Sequence, residues 1–355
     1  MNLTLHLTDN CNLDCSYCIR EKCPRDMTPE VLIKACDLAF SNGKRAGLCF
    51  FGGEPLLKKD LIYQALDYCK AKSEETGIRF DCKMTTNGTL LDEEFLLRAK
   101  EAGMIIGLSF DGLAQDVCRR FAGSERRGSR DIVEEKAKLL LKHLPGSVAM
   151  ATIAPDAVPY YAESVKYLHD LGFKKASFVL AYGRKVNWTD DDLSILEKEL
   201  DKTVDYLSDL FVAKDGFHMT PLHSKITEYL AGKNPAQRCH LGVRQMPVTP
   251  SGDLYPCTSF IGDEDYLLGN VFEGVNDKKV IEIAKRSMLP EECKECDLRE
   301  RCTNSCGCAN RMNTGDENKI SPLQCAYERM VIAHADELGE KMFKASPEYF
   351  RQRFG

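Results

Sequence analysis

The 355-residue sequence has no surplus of positive charge: 48 Lys and Arg stand against 54 Asp and Glu, a formal net charge of −6. Nucleic acids and anionic membranes select for a basic excess, so neither is an expected partner. The chain also lacks any uninterrupted apolar run of the ~18 residues that a membrane span requires. Its opening, MNLTLHLTDNCN, has neither the basic start nor the apolar stretch of a signal peptide. A cytoplasmic location is the resulting expectation. With 43% hydrophobic and 29% charged residues, the chain is otherwise an ordinary globular one. At ~150 residues per domain, its length allows two domains or one large barrel with an appendage.

Cysteine is what the sequence does have. The 17 cysteines are too few for the ~8–10% of a disulfide scaffold, and their number is odd. Without export to an oxidising compartment, clustered cysteines more often hold metal than bridge each other. Three lie within residues 11–18 and five within 293–308, with none between Cys118 and Cys239.

Hydrophobic patterning alternates short β-type runs with helical ones. The expected order begins with strand Leu3–Leu7, helix Thr28–Ser41 (opened by Thr28 and Pro29), strand Gly47–Phe51 and helix Asp60–Thr76. Strand Arg79–Met84, helix Asp92–Ala102, strand Met104–Phe110, helix Asp131–Leu144 and strand Ser147–Ile153 follow. Helix Pro159–Leu171, strand Ala176–Leu180 and a long helix near Asp190–Val212 close the series. Such alternation implies right-handed βαβ units on a parallel sheet, either a partial barrel or an open doubly wound sheet. After Lys214 the pattern breaks into short Gly-, Pro- and Asn-punctuated segments, with a hairpin expected over Val248–Pro256. Residues 293–325 carry too few large apolar groups for a core of their own, so thiolate–metal bonds are the expected substitute. The tail from Cys325 reads as helical again.

Cys11-Asn-Leu-Asp-Cys15-Ser-Tyr-Cys18 follows the first strand. In βα barrels the loops at the carboxyl ends of strands carry the chemistry. Three thiolates on one such loop suit a [4Fe–4S] cube with one iron left open, or, less specifically, zinc or a buried structural role. Phe50-Phe51-Gly52-Gly53-Glu54-Pro55 follows the second expected barrel strand. Its glycines would let the backbone approach a ligand, and Glu54 offers acceptors to an ammonium group.

Together these motifs resemble the radical SAM superfamily, over residues 1 to about 213. The resemblance implies that Cys11, Cys15 and Cys18 bind the cluster whose open iron chelates S-adenosylmethionine. It further implies that Gly52, Gly53 and Glu54 hold the methionine amino group and that Tyr17 meets adenine. Thr85-Thr86-Asn87-Gly88-Thr89 and Ser109-Phe110-Asp111-Gly112 resemble two more loops of that family, placing Asn87, Ser109 and Asp111 near the cofactor. Arg119, Arg120 and Arg130 are the candidates for its carboxylate.

The C-terminal cysteines resemble the SPASM pattern. Twelve residues separate Cys239 from Gly252 and four separate Gly252 from Cys257; then come Cys293, Cys296, Cys302 and Cys306 at spacings of two, five and three, and finally Cys325. This resemblance implies two auxiliary clusters, a nearer one on Cys239, Cys257 and Cys306 and an outer one on Cys293, Cys296, Cys302 and Cys325. With the first motif, three [4Fe–4S] clusters are expected. Cys308 stands beside this set, and Cys23, Cys36, Cys49, Cys69, Cys82 and Cys118 read as small buried hydrophobes. The expected architecture is α/β: a partial (β/α)6 TIM barrel over 1–213, a linker over 214–238, an iron–sulfur SPASM domain over 239–325 and a helical tail over 326–355.

The function implied is oxidative modification of a peptide through a 5′-deoxyadenosyl radical, with thioether formation from a Cys of a ribosomally made peptide as the leading chemistry. Formylglycine formation, as in anaerobic sulfatase maturation, small-molecule dehydrogenation and a non-catalytic iron–sulfur role stay open. Against the sulfatase reading, Thr258 stands where that family places a basic aspartate after the cysteine. Expected partners are a Cys-containing peptide, a reductant such as flavodoxin or ferredoxin, and a separate leader-recognition protein. The last expectation follows from the ten residues ahead of Cys11, too few for a leader-binding module.

Overall fold

A computed structural model describes residues 1–41, 43, 45–123, 127–183, 185–232, 241–242, 245–286, 290–302 and 306–355. The chain divides into two compact units: Met1–Ser109 with Arg120–Ser147 and His240–Ser287, and Phe110–Arg119 with Val148–Cys239 and Met288–Gly355.

In the first unit, strands Asn2–His6, Arg45–Phe51, Arg79–Thr86 and Ile105–Ser109 lie side by side and parallel. Their register puts Leu5, Phe50 and Met84 in one row, with Ile106 next to Met84. Leu3, Leu48 and Cys82 form the row below. Against this apolar face the connecting helices bury Leu32, Ile62 and Phe95, and Phe40 stacks on Phe80 with ring centres 6.3 Å apart. Each such side chain removed from water contributes about 1.5–3 kcal/mol. The alternate positions, which point to the opposite face, are Thr4, His6, Cys49, Phe51, Lys83 and Thr85.

The helices start where local chemistry directs. Thr28 accepts from the Val31 N–H, Pro29 occupies the first turn and Glu30 complements the dipole of Pro29–Phe40. Asp92 caps Glu93–Glu101 in the same way. Gly77 ends Lys59–Thr76 at φ +70°, a left-handed conformation that glycine adopts without strain.

The hairpin of the cysteine-rich region also belongs to this unit. Met246–Val248 pairs parallel to Asn2–His6, and Asp253–Leu254 then turns back antiparallel. The sequence marked the hairpin but not the pairing, because nothing local in Met246-Pro247-Val248 specifies a neighbour so distant in the chain.

In the second unit, Val148–Ile153, Lys175–Leu180 and His218–Thr220 form a parallel sheet. Helix Asp190–Val212 opens with a capping box: Thr189 accepts from the Asp192 N–H, and the Asp192 carboxylate accepts from the Thr189 N–H. Two expectations shift here. The helix predicted from Pro159 is a 3-10 stretch over Pro155–Tyr160 followed by an α-helix over Tyr161–Asp170. The segment read as a linker, 214–238, holds strand His218–Thr220 and helix Leu222–Leu230, whose Leu222 and Ile226 are buried. Three-residue strands are too short for period-two alternation to register. The α/β class and the parallel sheet stand, and the tail is helical over Pro322–Ala345 and Pro347–Phe354. Among the described residues no helix is long and apolar enough to cross a membrane.

Candidate active site

Three loops of the first unit meet at the carboxyl ends of its parallel strands. Gly53 N–H donates to the Thr8 carbonyl at 2.7 Å, and Glu54 N–H donates to the Asn10 carbonyl at 2.9 Å. The two glycines are required by this approach. A Cβ on Gly53 would lie 1.9 Å from the Asn10 oxygen; one on Gly52, at φ +125°, would lie 2.5 Å from that of Thr8. The close partner of Gly52-Gly53 is thus the backbone leading into Cys11.

Glu54 is buried, and three hydrogen bonds reach its carboxylate. Oε1 accepts from the Thr86 hydroxyl at 2.6 Å and the Leu56 N–H at 3.0 Å, and Oε2 accepts from the Asn87 N–H at 2.8 Å. Burial raises its pKa, against the pull of these donors. A carboxylate has about four acceptor positions, so little is left for an outside ammonium. Glu54 ties the second loop to the third.

The third loop in turn grips the cysteine loop. Asn87 Nδ2 donates to Asn12 Oδ1 at 2.9 Å and lies 3.8 Å from Cys11 Sγ, while Asn12 Nδ2 donates to Thr89 Oγ1 at 2.8 Å. Leu13 N–H points at Cys11 Sγ from 3.4 Å. Burial pushes the Cys11 thiol up, and the Leu13 amide works in the opposite direction. Cys11, Cys15, Tyr17 and Cys18 are all partly exposed, and Cys18 N–H donates to the Cys15 carbonyl at 3.0 Å. Asp9 accepts from Arg20 at 2.8 Å and lies 3.5 Å from Arg25, bracing the far side of the loop.

Among the described residues no three His, Cys, Asp or Glu side chains converge as they would on a single ion. A four-iron cube does not ask for that, since each thiolate takes its own iron. Three partly exposed thiols on one braced loop, one of them with N–H donors in place, fit such a cluster.

Ser109, at the end of the fourth parallel strand of this unit, is partly exposed. Asp111, in the second unit, is fully buried; Thr152 N–H donates to its Oδ1 at 2.8 Å and Arg119 to its Oδ2 at 2.9 Å. The sequence placed Asp111 beside a cofactor; in the structure its carboxylate also holds its own loop.

Cys257, in the first unit, precedes the short 3-10 turn Thr258–Phe260. Cys239 and its neighbour His240 lie outside the described residues. In the second unit, Arg329 Nη2 lies 3.6 Å from Cys296 Sγ, and Cys325, Cys296 and Cys302 together raise the Arg329 pKa, Cys325 most. Three thiols expected in the outer set thus act on one cation. Cys293 ends the 3-10 turn Glu291–Cys293. Cys306 caps helix Gly307–Thr314, with its sulfur 3.0 Å from that of Cys308. Cys36, Cys69, Cys82 and Cys118 are buried as expected, but Cys23 and Cys49 are partly exposed. Cys23 sits among polar groups, 3.7 Å from Asp9 and 3.6 Å from Arg25.

Sequence reasoning missed His6. It is fully buried at the end of the first strand, edge-on to Phe51 with ring centres 5.3 Å apart. Among the described residues neither ring nitrogen has a hydrogen-bond partner. Burial, reinforced by Arg20, lowers its pKa to about 3. The signal was present as a polar Thr4-His6-Thr8 series between Leu3, Leu5 and Leu7.

Residues 5–158 match the Radical SAM superfamily. The chain carries a radical SAM domain. It is 26% identical over 323 residues to the antilisterial bacteriocin subtilosin biosynthesis protein AlbA of Bacillus subtilis, covering 85% of this chain and 65% of that protein. It is 24% identical over 341 residues to a cysteine-type anaerobic sulfatase-maturating enzyme of Clostridium perfringens, covering 84% of this chain and 86% of that enzyme. The solved structure of His6-tagged anSMEcpe with bound AdoMet has a TM-score of 0.83 and 19% identity, covering 99% of this chain and 97% of that one. That likeness fixes the fold.

Proposed function

We propose that this protein is a radical S-adenosylmethionine enzyme that oxidatively modifies a peptide, forming a thioether from a peptide cysteine. The observation that carries the reading is the Cys11–Cys18 loop, braced by Glu54 and Asn87 within a radical SAM domain. The peptide class is supported by relatives named for bacteriocin biosynthesis and sulfatase maturation. When bound, the cluster and S-adenosylmethionine supply a 5′-deoxyadenosyl radical that takes a hydrogen atom.

The chain's own residues divide the work. Cys11, Cys15 and Cys18 hold the cluster; Tyr17 and Ser109, both partly exposed, are left to contact S-adenosylmethionine. Gly52, Gly53, Glu54, Asn87 and Asp111 fix the loops around it. Cys293, Cys296, Cys302 and Cys325 hold an outer auxiliary cluster, and Cys239, Cys257 and Cys306 a nearer one. A thioether requires one C–H and one S–H bond to break and one C–S bond to form. Two electrons and two protons therefore leave the peptide: one of each goes with the abstracted hydrogen atom, the thiol proton passes to solvent, and an auxiliary cluster, when bound, would supply the acceptor for the second electron. Thr258 in the place of a basic aspartate favours this chemistry over formylglycine formation.

Anaerobically reconstituted protein should carry about 12 irons, and the Cys11, Cys15, Cys18→Ala triple variant about 8, with no 5′-deoxyadenosine formed. Co-expression with a Cys-rich peptide encoded nearby should give a product lighter by two hydrogens and resistant to thiol alkylation. A peptide recovered with its mass and thiols unchanged would refute the thioether; 5′-deoxyadenosine from the triple variant would refute the cluster assignment.

A further inference from the structure

Asn87 has the position expected of a cofactor contact, yet its polar atoms are already committed. Only 7% of the residue is exposed. Its Oδ1 accepts from both the N–H and the hydroxyl of Thr89, at 3.0 and 2.8 Å. The backbone N–H of Thr89 can only donate, so the atom facing it is the oxygen and the orientation of the amide is settled. The nitrogen then faces the cysteine loop, with one hydrogen for Asn12 Oδ1 at 2.9 Å and one toward Cys11 Sγ at 3.8 Å. Asn12 returns a hydrogen bond to Thr89 at 2.8 Å, closing a ring of three side chains. Glu54 holds the backbone of Asn87 from below at 2.8 Å. Every hydrogen bond in this array fixes a single N–H against the first cysteine.

Resting on the cluster assignment above, we infer that Asn87 is a positioning residue that sets the reduction potential of the centre on Cys11, Cys15 and Cys18 through its N–H to the Cys11 sulfur. Reduction adds one negative charge, part of which falls on the thiolate sulfurs. A donor aimed at such a sulfur stabilises the reduced form more than the oxidised one. Asn87 and Thr89 are only 7% and 8% exposed, so little water reaches the donor's place when it is removed. Loss of the amide hydrogen therefore moves the potential to more negative values and slows delivery of the electron. Leu13 supplies a backbone donor to the same sulfur at 3.4 Å, which side-chain substitution leaves in place.

The test is a potentiometric titration of the anaerobic holoenzyme with dithionite, following the electron-spin signal that added S-adenosylmethionine perturbs. Asn87→Asp keeps the oxygen facing Thr89 and removes the donor. It should retain full iron and become at least about tenfold harder to reduce, about 59 mV for one electron. Thr89→Val keeps the amide but loosens it, and should shift the potential in the same direction by less. Asn87→Ser removes both amide atoms without adding charge and decides the matter if the aspartate variant loses iron. Its potential should fall while its affinity for S-adenosylmethionine stays within about twofold. A full-iron variant lacking the amide with an unchanged potential overturns the inference, as does a large loss of affinity at constant potential. Wild-type protein without any signal responsive to S-adenosylmethionine would instead refute the cluster assignment.

Discussion

Arg119 Nε donates to Asp111 Oδ2 at 2.9 Å, with the arginine side chain 9% and the aspartate side chain 0% exposed. Asp111 also accepts from the Thr152 N–H, and its own N–H donates to the Gln115 carboxamide at 2.9 Å. The pair fixes the chain after Ser109. It also gives Arg119 a role within the fold. Removing one member of a buried pair strands the other. Arg119→Met should therefore destabilise the protein by about 3–5 kcal/mol in denaturant unfolding. Adding Asp111→Asn should restore part of that loss; a double variant no more stable than the single one would show that the pair is not the cause.

Gly53 faces a backbone oxygen, which cannot rotate away. Gly53→Ala would drive its methyl group to 1.9 Å from the Asn10 carbonyl, so the cysteine loop must move. The variant should lose the iron of the Cys11–Cys18 centre, about four atoms per chain, and keep the auxiliary iron. Gly77→Ala, where no atom lies within 4 Å of the added methyl, should keep all of it despite the strain of φ +70°. Iron analysis after anaerobic reconstitution distinguishes the two.

Much of this arrangement was legible in the sequence. Thr28-Pro29-Glu30 announces a helix start by local chemistry and is realised as a cap. The Cys11–Cys18 spacing and Gly52-Gly53-Glu54 pointed to two loops that the structure joins by backbone hydrogen bonds. Their division of labour was not legible, because it depends on which oxygen meets which N–H across loops distant in sequence. Glu54 reads in the sequence as a ligand-facing carboxylate, and nothing local announces that Thr86, Leu56 and Asn87 donate to it. His6 went unread because the Thr4-His6-Thr8 alternation marks a polar face of the strand but does not say that the fold seals that face.

His6 makes stability depend on acid. The imidazole takes up a proton at 6.5 when unfolded but only at about 3 when folded. Its contribution is therefore fully present above 6.5 and is lost as pH falls from 6.5 toward 3. Each unit of separation is worth about 1.4 kcal/mol, so the loss amounts to several kcal/mol. His6→Leu should flatten that part of the pH–stability curve, measured by denaturant unfolding across the range. An equally steep acid slope in the variant would assign it to other groups.

Lys225 and Glu328 pair inside the second unit, with side-chain exposures of 4% and 7%. Lys225 Nζ also donates to the Arg301 carbonyl at 2.8 Å, one residue before Cys302. The ammonium thus neutralises a buried carboxylate and fixes the backbone of a segment with few apolar anchors. Lys225→Met should cost about 3–5 kcal/mol, because it breaks a buried ion pair by removing one member. Lys225→Met with Glu328→Leu should regain most of that stability, since no charge is then stranded, but it cannot restore the hydrogen bond to Arg301. The two variants consequently separate two effects of one lysine. If the backbone bond positions Cys302, both should lose outer-cluster iron to a chelator faster than wild type; if only the charge matters, the double variant should hold its iron as wild type does. The 2.8 Å hydrogen bond from Lys225 to the Arg301 carbonyl argues for the first outcome.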